Sequence, residues 1–154
     1  MSLKERLFWS LFGATSIAFH LGLIFSGLIP NLLSRPLHMA LALPWAFIFI
    51  AKTRNAKLSG ALFTLVGLAA TFWIAYNESA LGDQYGYLSG SFQTMVAVSL
   101  LVIVIEMARR SIGWPLPMVA VLALMYGLFG QYIPGEFGHP GVPLDSFLGT
   151  MTIA

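Results

Sequence analysis

"IEMARRSIGWPLP", residues 105–117, sets one carboxylate and two guanidiniums between two long apolar runs. Such a concentration of charge needs a reason in a chain of 154 residues that is 9% charged, 58% hydrophobic and has a mean hydropathy of +0.82. A water-soluble domain carries about a quarter of its residues charged. The surface of this chain therefore faces another solvent, and a lipid bilayer fits.

Outward from this stretch, five segments approach the roughly 20 residues that a helix needs to cross the hydrocarbon: 7–29, 33–51, 58–76, 91–108 and 115–133. The fold expected is an all-α integral membrane bundle of about five transmembrane helices in one domain. The second span holds Pro44, predicted to kink it and free a carbonyl that a neighbouring helix must satisfy. The first run follows Lys4 and Arg6 but exceeds the apolar core of a secretory signal and has no small-residue cleavage pattern after it. It reads as a retained span.

The charges alternate between the two ends of these spans. Lys4 and Arg6 precede the first, Lys52, Arg54 and Lys57 separate the second from the third, and Arg109 and Arg110 separate the fourth from the fifth. Seven of the eight basic residues thus share one side, and only Arg35 falls on the other with Glu78, Asp83, Glu136 and Asp145. The positive-inside bias then places the N-terminus inside and the C-terminus outside. In this scheme Arg109 and Arg110 mark the cytoplasmic end of the fourth helix, and Glu106, three and four residues earlier, reaches both. Gly113 and Pro115 break and restart the chain, with Trp114 steered away from helix by the proline and placed in the headgroup layer. An inside hairpin is the expected result.

Within lipid, helices associate through small residues and interhelical hydrogen bonds. Gly13, Ser16, His20 and Gly27 share one face of the first span, Gly60, Thr64, Gly67 and Thr71 one face of the third, and Ala120, Ala123, Gly127 and Gly130 one face of the fifth. These faces serve either the bundle itself or another membrane protein. His20 is the one ionisable residue deep in a span and reads as a neutral imidazole bonded between helices. Residues 134–154 form an outside loop with a short interfacial segment, for which Asp145 is a candidate N-cap.

Chemistry is sparse. Glu136 and His139 in "PGEFGHPG" (134–141) are two ligands among glycines and prolines and do not make a metal site. Ser146, His139 and Asp145 lack a nucleophile-elbow pattern, and "NES" at 77–79 is a chance sequon. With no cysteine there is no disulfide framework. A net charge of +2 scattered along the chain gives no nucleic-acid footprint. No cofactor is expected, and the chain reads as a non-enzyme.

Four motifs together carry a resemblance: "RPLH" (35–38), "EMARRSIGWPLP" (106–117), "YGLFG" (126–130) and "PGEFGHPG" (134–141). In order and spacing, over about four fifths of the chain, they resemble the small (Q-type) membrane subunit of tripartite ATP-independent periplasmic (TRAP) transporters. The similarity is to the TAXI-type branch, in the form found at the N-terminus of fused permeases. Gln93 stands where an acid opening the fourth helix is expected, and the chain stops at Ala154 where fused relatives continue, which implies a split system.

The resemblance implies a scaffold in a bacterial or archaeal inner membrane. Its partners would be membrane lipids, a large multi-spanning transport subunit on a separate chain and an extracytoplasmic substrate-binding protein. The reaction implied is cation-coupled uptake of an organic anion. Glu106, Arg109, Arg110, Gly113, Trp114 and Pro115 would fix the inside hairpin. Arg35, His38, Glu136 and His139 would contribute to the outside surface. Two alternatives fit the same residues: a small membrane enzyme acting on lipid, or a self-assembling pore.

Overall fold

In the computed structural model, which describes residues 2–27 and 29–153, the chain is helical with no strand among those residues. Helix α1 spans Leu3–Ser26, α2 spans Asn31–Pro44 and runs on as a π-helical turn over Trp45–Phe49, and α3 spans Arg54–Tyr76. A short α4, Glu78–Gly82, precedes α5, Ser91–Ile112. Helix α6, Pro115–Phe129, is extended by a 3₁₀ turn at Gly130–Tyr132, and α7 spans Leu144–Thr152. Five of these helical stretches are long and apolar enough to cross a membrane, the mark of a multi-pass membrane protein.

The first span begins earlier than the run of apolar residues indicates. Ser2 and Glu5 form a reciprocal capping box, with the Glu5 N–H donating to Ser2 Oγ at 3.2 Å and the Ser2 N–H donating to Glu5 Oε2 at 2.6 Å. Lys4 and Arg6 are therefore inside α1. Its other end is closed by Gly27 at φ +57°, whose N–H bonds Leu23 O at 3.2 Å. That left-handed cap is the role of Gly27; a Cβ there would touch nothing, so this glycine is not part of a packing face.

Pro44 acts through the turn after it. Having no N–H, it cannot continue the ladder, and the chain widens so that the Ile50 N–H bonds Trp45 O at 3.3 Å. The wider turn carries Phe47 into the core, where it and Leu43 are fully buried. They meet the small-residue face of α3, whose Gly60, Thr64, Gly67 and Thr71 are all buried. The backbone carbonyl of Phe47 lies over Gly60, and a Cβ on Gly67 would sit 2.6 Å from Leu43 Cδ1, inside van der Waals contact. The α3 stripe is thus consumed within this chain. Helix α5 completes the core with Val96, Ala97, Leu100 and Ile103.

Helix α7 docks rather than lying apart: Leu148 and Ile153 join Ala97 and Leu100 of α5 in one buried cluster. Pro143 occupies its N-cap position and Asp145 lies in the first turn, so Asp145 does not cap; a carboxylate there still complements the helix dipole. Gln93 has an end-closing role at α5, where its Oε1 accepts from the Ser89 N–H at 2.6 Å. A carboxamide oxygen suffices for that bond.

Two helices are left largely uncovered. No residue in the apolar window of α1 is buried; the helix touches α2 and its π turn through Trp9, Phe12 and Gly13 on Trp45, Trp9 on Phe49, and His20 on His38. On α6, Ala123 is exposed, Ala120 and Gly127 are half-buried and Gly130 is buried. Gly127 packs under the Phe147 ring of α7.

Replacing Gly67 by valine should destabilise the protein by about 1–3 kcal/mol by overpacking Leu43, whereas Gly22→Ala, with open space around it, should not. Thermal melting of the detergent-solubilised chain distinguishes the two. Equal melting temperatures for Gly67→Val and the parent would contradict the α2–α3 contact.

Candidate functional site

The charged hairpin is built on the last two turns of α5. Glu106 Oε2 accepts from Arg109 Nε at 2.6 Å, and its Oε1 accepts from Arg109 Nη2 at 2.7 Å and Arg110 Nε at 2.8 Å. Arg110 then crosses to α3: Nη1 donates to Ala56 O at 3.1 Å and Nη2 to Ser59 Oγ at 3.0 Å. Its guanidinium also lies 5.1 Å from the Phe47 ring centroid and 5.4 Å from that of Phe63. This is a cation bonded on its edge and stacked on its faces, the environment that suits arginine better than lysine. Arg109 lies over the Trp114 ring at 5.5 Å.

The hairpin turns at Gly113, whose φ of +99° and ψ of −168° fall in a region open to glycine alone. Trp114 is helical, at φ −73° and ψ −31°, contrary to the extended conformation expected before Pro115. Glycine supplies the whole break, which frees Trp114 to serve as N-cap residue with Pro115 at the first helical position.

Beside the arginines, a cavity of about 600 Å³ is lined by Lys52, Asn55, Ser59, Arg109 and Arg110, with Phe47 and Ile50 on its apolar wall. Sequence reasoning missed Ser59, Phe47 and Phe63 as partners of Arg110. Ser59 and Phe63 share a helical face at a spacing of four, but their approach to α5 is a tertiary fact without a local signal.

Near the opposite end of the spans, His20 and His38 face each other from α1 and α2. The Ser16 carbonyl can only accept, so the His20 Nδ1 facing it carries the proton. His20 Nε2 faces His38 Nδ1 within hydrogen-bond reach. Arg35 and His38 line, with Asn31 and Ser34, a second cavity of about 420 Å³. Ser16 itself donates to Phe12 O at 2.8 Å.

The loop after α6 is pinned back onto that helix. Tyr126 Oη donates to Phe137 O at 2.8 Å, while His139 sets Nε2 3.0 Å from Tyr126 O and Nδ1 2.7 Å from Pro140 O. The imidazole lies directly on Gly130, where a Cβ would overlap it. Motifs 126–130 and 134–141 are therefore one structural unit. Glu136 is exposed in the turn and has no hydrogen-bond or ion-pair partner among the described residues. No group of three or more His, Asp or Glu side chains among the described residues is arranged to hold a metal ion.

Both acceptors around His139 are carbonyls, of Pro140 first and Tyr126 second, so the doubly protonated ring is favoured and the pKa is raised above its ordinary 6.5. A raised folded-state pKa gives a stabilisation fully present below 6.5 and lost as pH climbs through the higher folded value. Resistance of the 134–143 loop to limited proteolysis should decline across that window, and His139→Gln should abolish the dependence. A loop whose protection is flat with pH in the parent would contradict the two-carbonyl arrangement.

Compared with protein-family models, curated proteins and solved structures, the chain matches none.

Proposed function

We propose that this chain is a non-catalytic scaffold subunit of a tripartite, binding-protein-dependent secondary transporter of the TRAP type, in its TAXI branch. It braces a large multi-spanning subunit that carries out cation-coupled uptake of an organic anion across a bacterial or archaeal inner membrane. The N-terminus is inside, and the end of the bundle with Arg35, His38, Glu136 and His139 faces the extracytoplasmic binding protein.

One observation carries this reading: the placement of ionisable groups. Every charged residue in the five spans lies within about two turns of a helix end. The innermost, Glu106, is already bonded to two arginines. The His20–His38 pair is likewise occupied with itself and Ser16. Charged side chains within the membrane mark ion and substrate pathways, and here Glu106 is engaged by arginines of its own helix, one of which ties α5 to α3. The uncovered flanks of α1 and α6 support the second half of the reading, since Phe8, Leu11 and Ile17 on the one and Val119, Leu122 and Met125 on the other are all more than half exposed. Such surfaces suit lipid or the flank of another membrane protein.

A tagged copy expressed in its native membrane should bring down a much larger polytopic protein. The double replacement Arg109→Glu with Arg110→Glu places three carboxylates together and removes the α3 tie, so it should reduce recovery of that complex severalfold while leaving the substrate preference of residual complexes unchanged. Normal assembly with altered substrate preference would contradict the scaffold role.

A further inference from the structure

The cavity beside the arginine hairpin has more positive charge than its internal pairing uses. Lys52, Arg109 and Arg110 line it, and among the described residues Glu106 is the one carboxylate bonded to this group. Lys52 is exposed and has no hydrogen-bond or ion-pair partner among the described residues. Of the five N–H donors that a guanidinium carries, Arg109 uses two on Glu106 and Arg110 uses three on Glu106, Ala56 and Ser59. Five donors have no partner among the described residues, and Asn55 lines the same cavity.

Phe47, which lies under the Arg110 guanidinium, and Ile50, which is exposed, supply an apolar part of the lining. The volume of about 600 Å³ is ample for a small polar group. The site lies where α3 starts and α5 ends, at the mouth of the bundle. A ligand matching this lining carries an oxyanion together with a hydrocarbon part.

We propose that this cavity binds the phosphate of an anionic phospholipid, with Lys52, Asn55 and the free donors of Arg109 and Arg110 holding the headgroup and an acyl chain running out past Ile50. Phosphate accepts several hydrogen bonds from forked guanidiniums, and basic pockets between spans are the known form of headgroup recognition. A bound lipid would tie the α2–α3 connection, which carries Lys52, to the end of α5. The inference is independent of the transporter reading: it concerns a ligand of this chain whatever the chain braces.

The test uses the full chain purified in mild detergent and exposed in turn to phosphatidylglycerol, phosphatidylcholine and inorganic phosphate, with retained lipid read by native mass spectrometry. Phosphatidylglycerol should be retained in preference to phosphatidylcholine. Lys52→Gln should cut that retention about fivefold, the equivalent of about 1 kcal/mol per basic residue, while Lys57→Gln, on the same end of α3 but outside the cavity, should change it less than about twofold. Lys52 is exposed in the connection before α3, so the variant should melt with the parent. Equal retention of the two lipids would overturn the proposal, as would an equal loss in Lys57→Gln, which would mean diffuse surface charge. Displacement of phosphatidylglycerol by millimolar inorganic phosphate would reassign the site to the free ion and overturn the lipid claim.

Discussion

The guanidinium of Arg110 is the point at which α3, α5 and the π-helical end of α2 meet. Its Nε is held by Glu106, its two terminal nitrogens by Ala56 O and Ser59 Oγ, and its faces by Phe47 and Phe63. In a medium with little water, a cation is tolerated only when paired and hydrogen-bonded, and each of these contacts answers that requirement. The geometry holds because small residues let the backbones beneath it crowd together. Gly60 lets the Phe47 carbonyl approach α3, and the π turn after Pro44 delivers Phe47 to that place. Overpacking α3 at Gly60 and disturbing the arginine therefore act on the same junction.

From this junction the rest follows in sequence. The α2–α3 hairpin, clamped by Leu43 and Phe47 against the small-residue stripe, forms the packed centre, and α5 and α7 complete it. Helices α1 and α6 attach at the periphery through aromatic contacts and a tight turn. A packed centre with two open flanks is the arrangement that the proposed scaffold role calls for.

The five spans were legible because an apolar run of bilayer length is seldom compatible with anything but a membrane crossing, and the Glu106–Arg109–Arg110 cluster because pairs three and four residues apart meet on a helix regardless of tertiary context. What the sequence concealed has a physical pattern. The start of α1 lay in the Ser2–Glu5 box, overlooked because Lys4 and Arg6 look like flanking charge. Pro44 announced an irregularity but not that the turn would widen to π geometry. Gly113 and Trp114 exchanged the expected roles, since glycine at φ +99° removes the need for an extended residue before proline. The His20–His38 pair and the docking of Tyr126 with His139 depend on which elements become neighbours, and periodicity does not encode that. Gly27 illustrates the opposite error, a small residue at packing spacing whose work is to end a helix.

The central claim is that a bundle whose deep polar groups are engaged with one another handles no solute and serves as a stationary support. Its most direct test is uptake by sealed vesicles containing the purified chain alone, under imposed sodium and proton gradients and with a panel of radiolabelled organic anions. The account predicts accumulation indistinguishable from empty vesicles. Sustained, gradient-dependent uptake by the lone chain would contradict it.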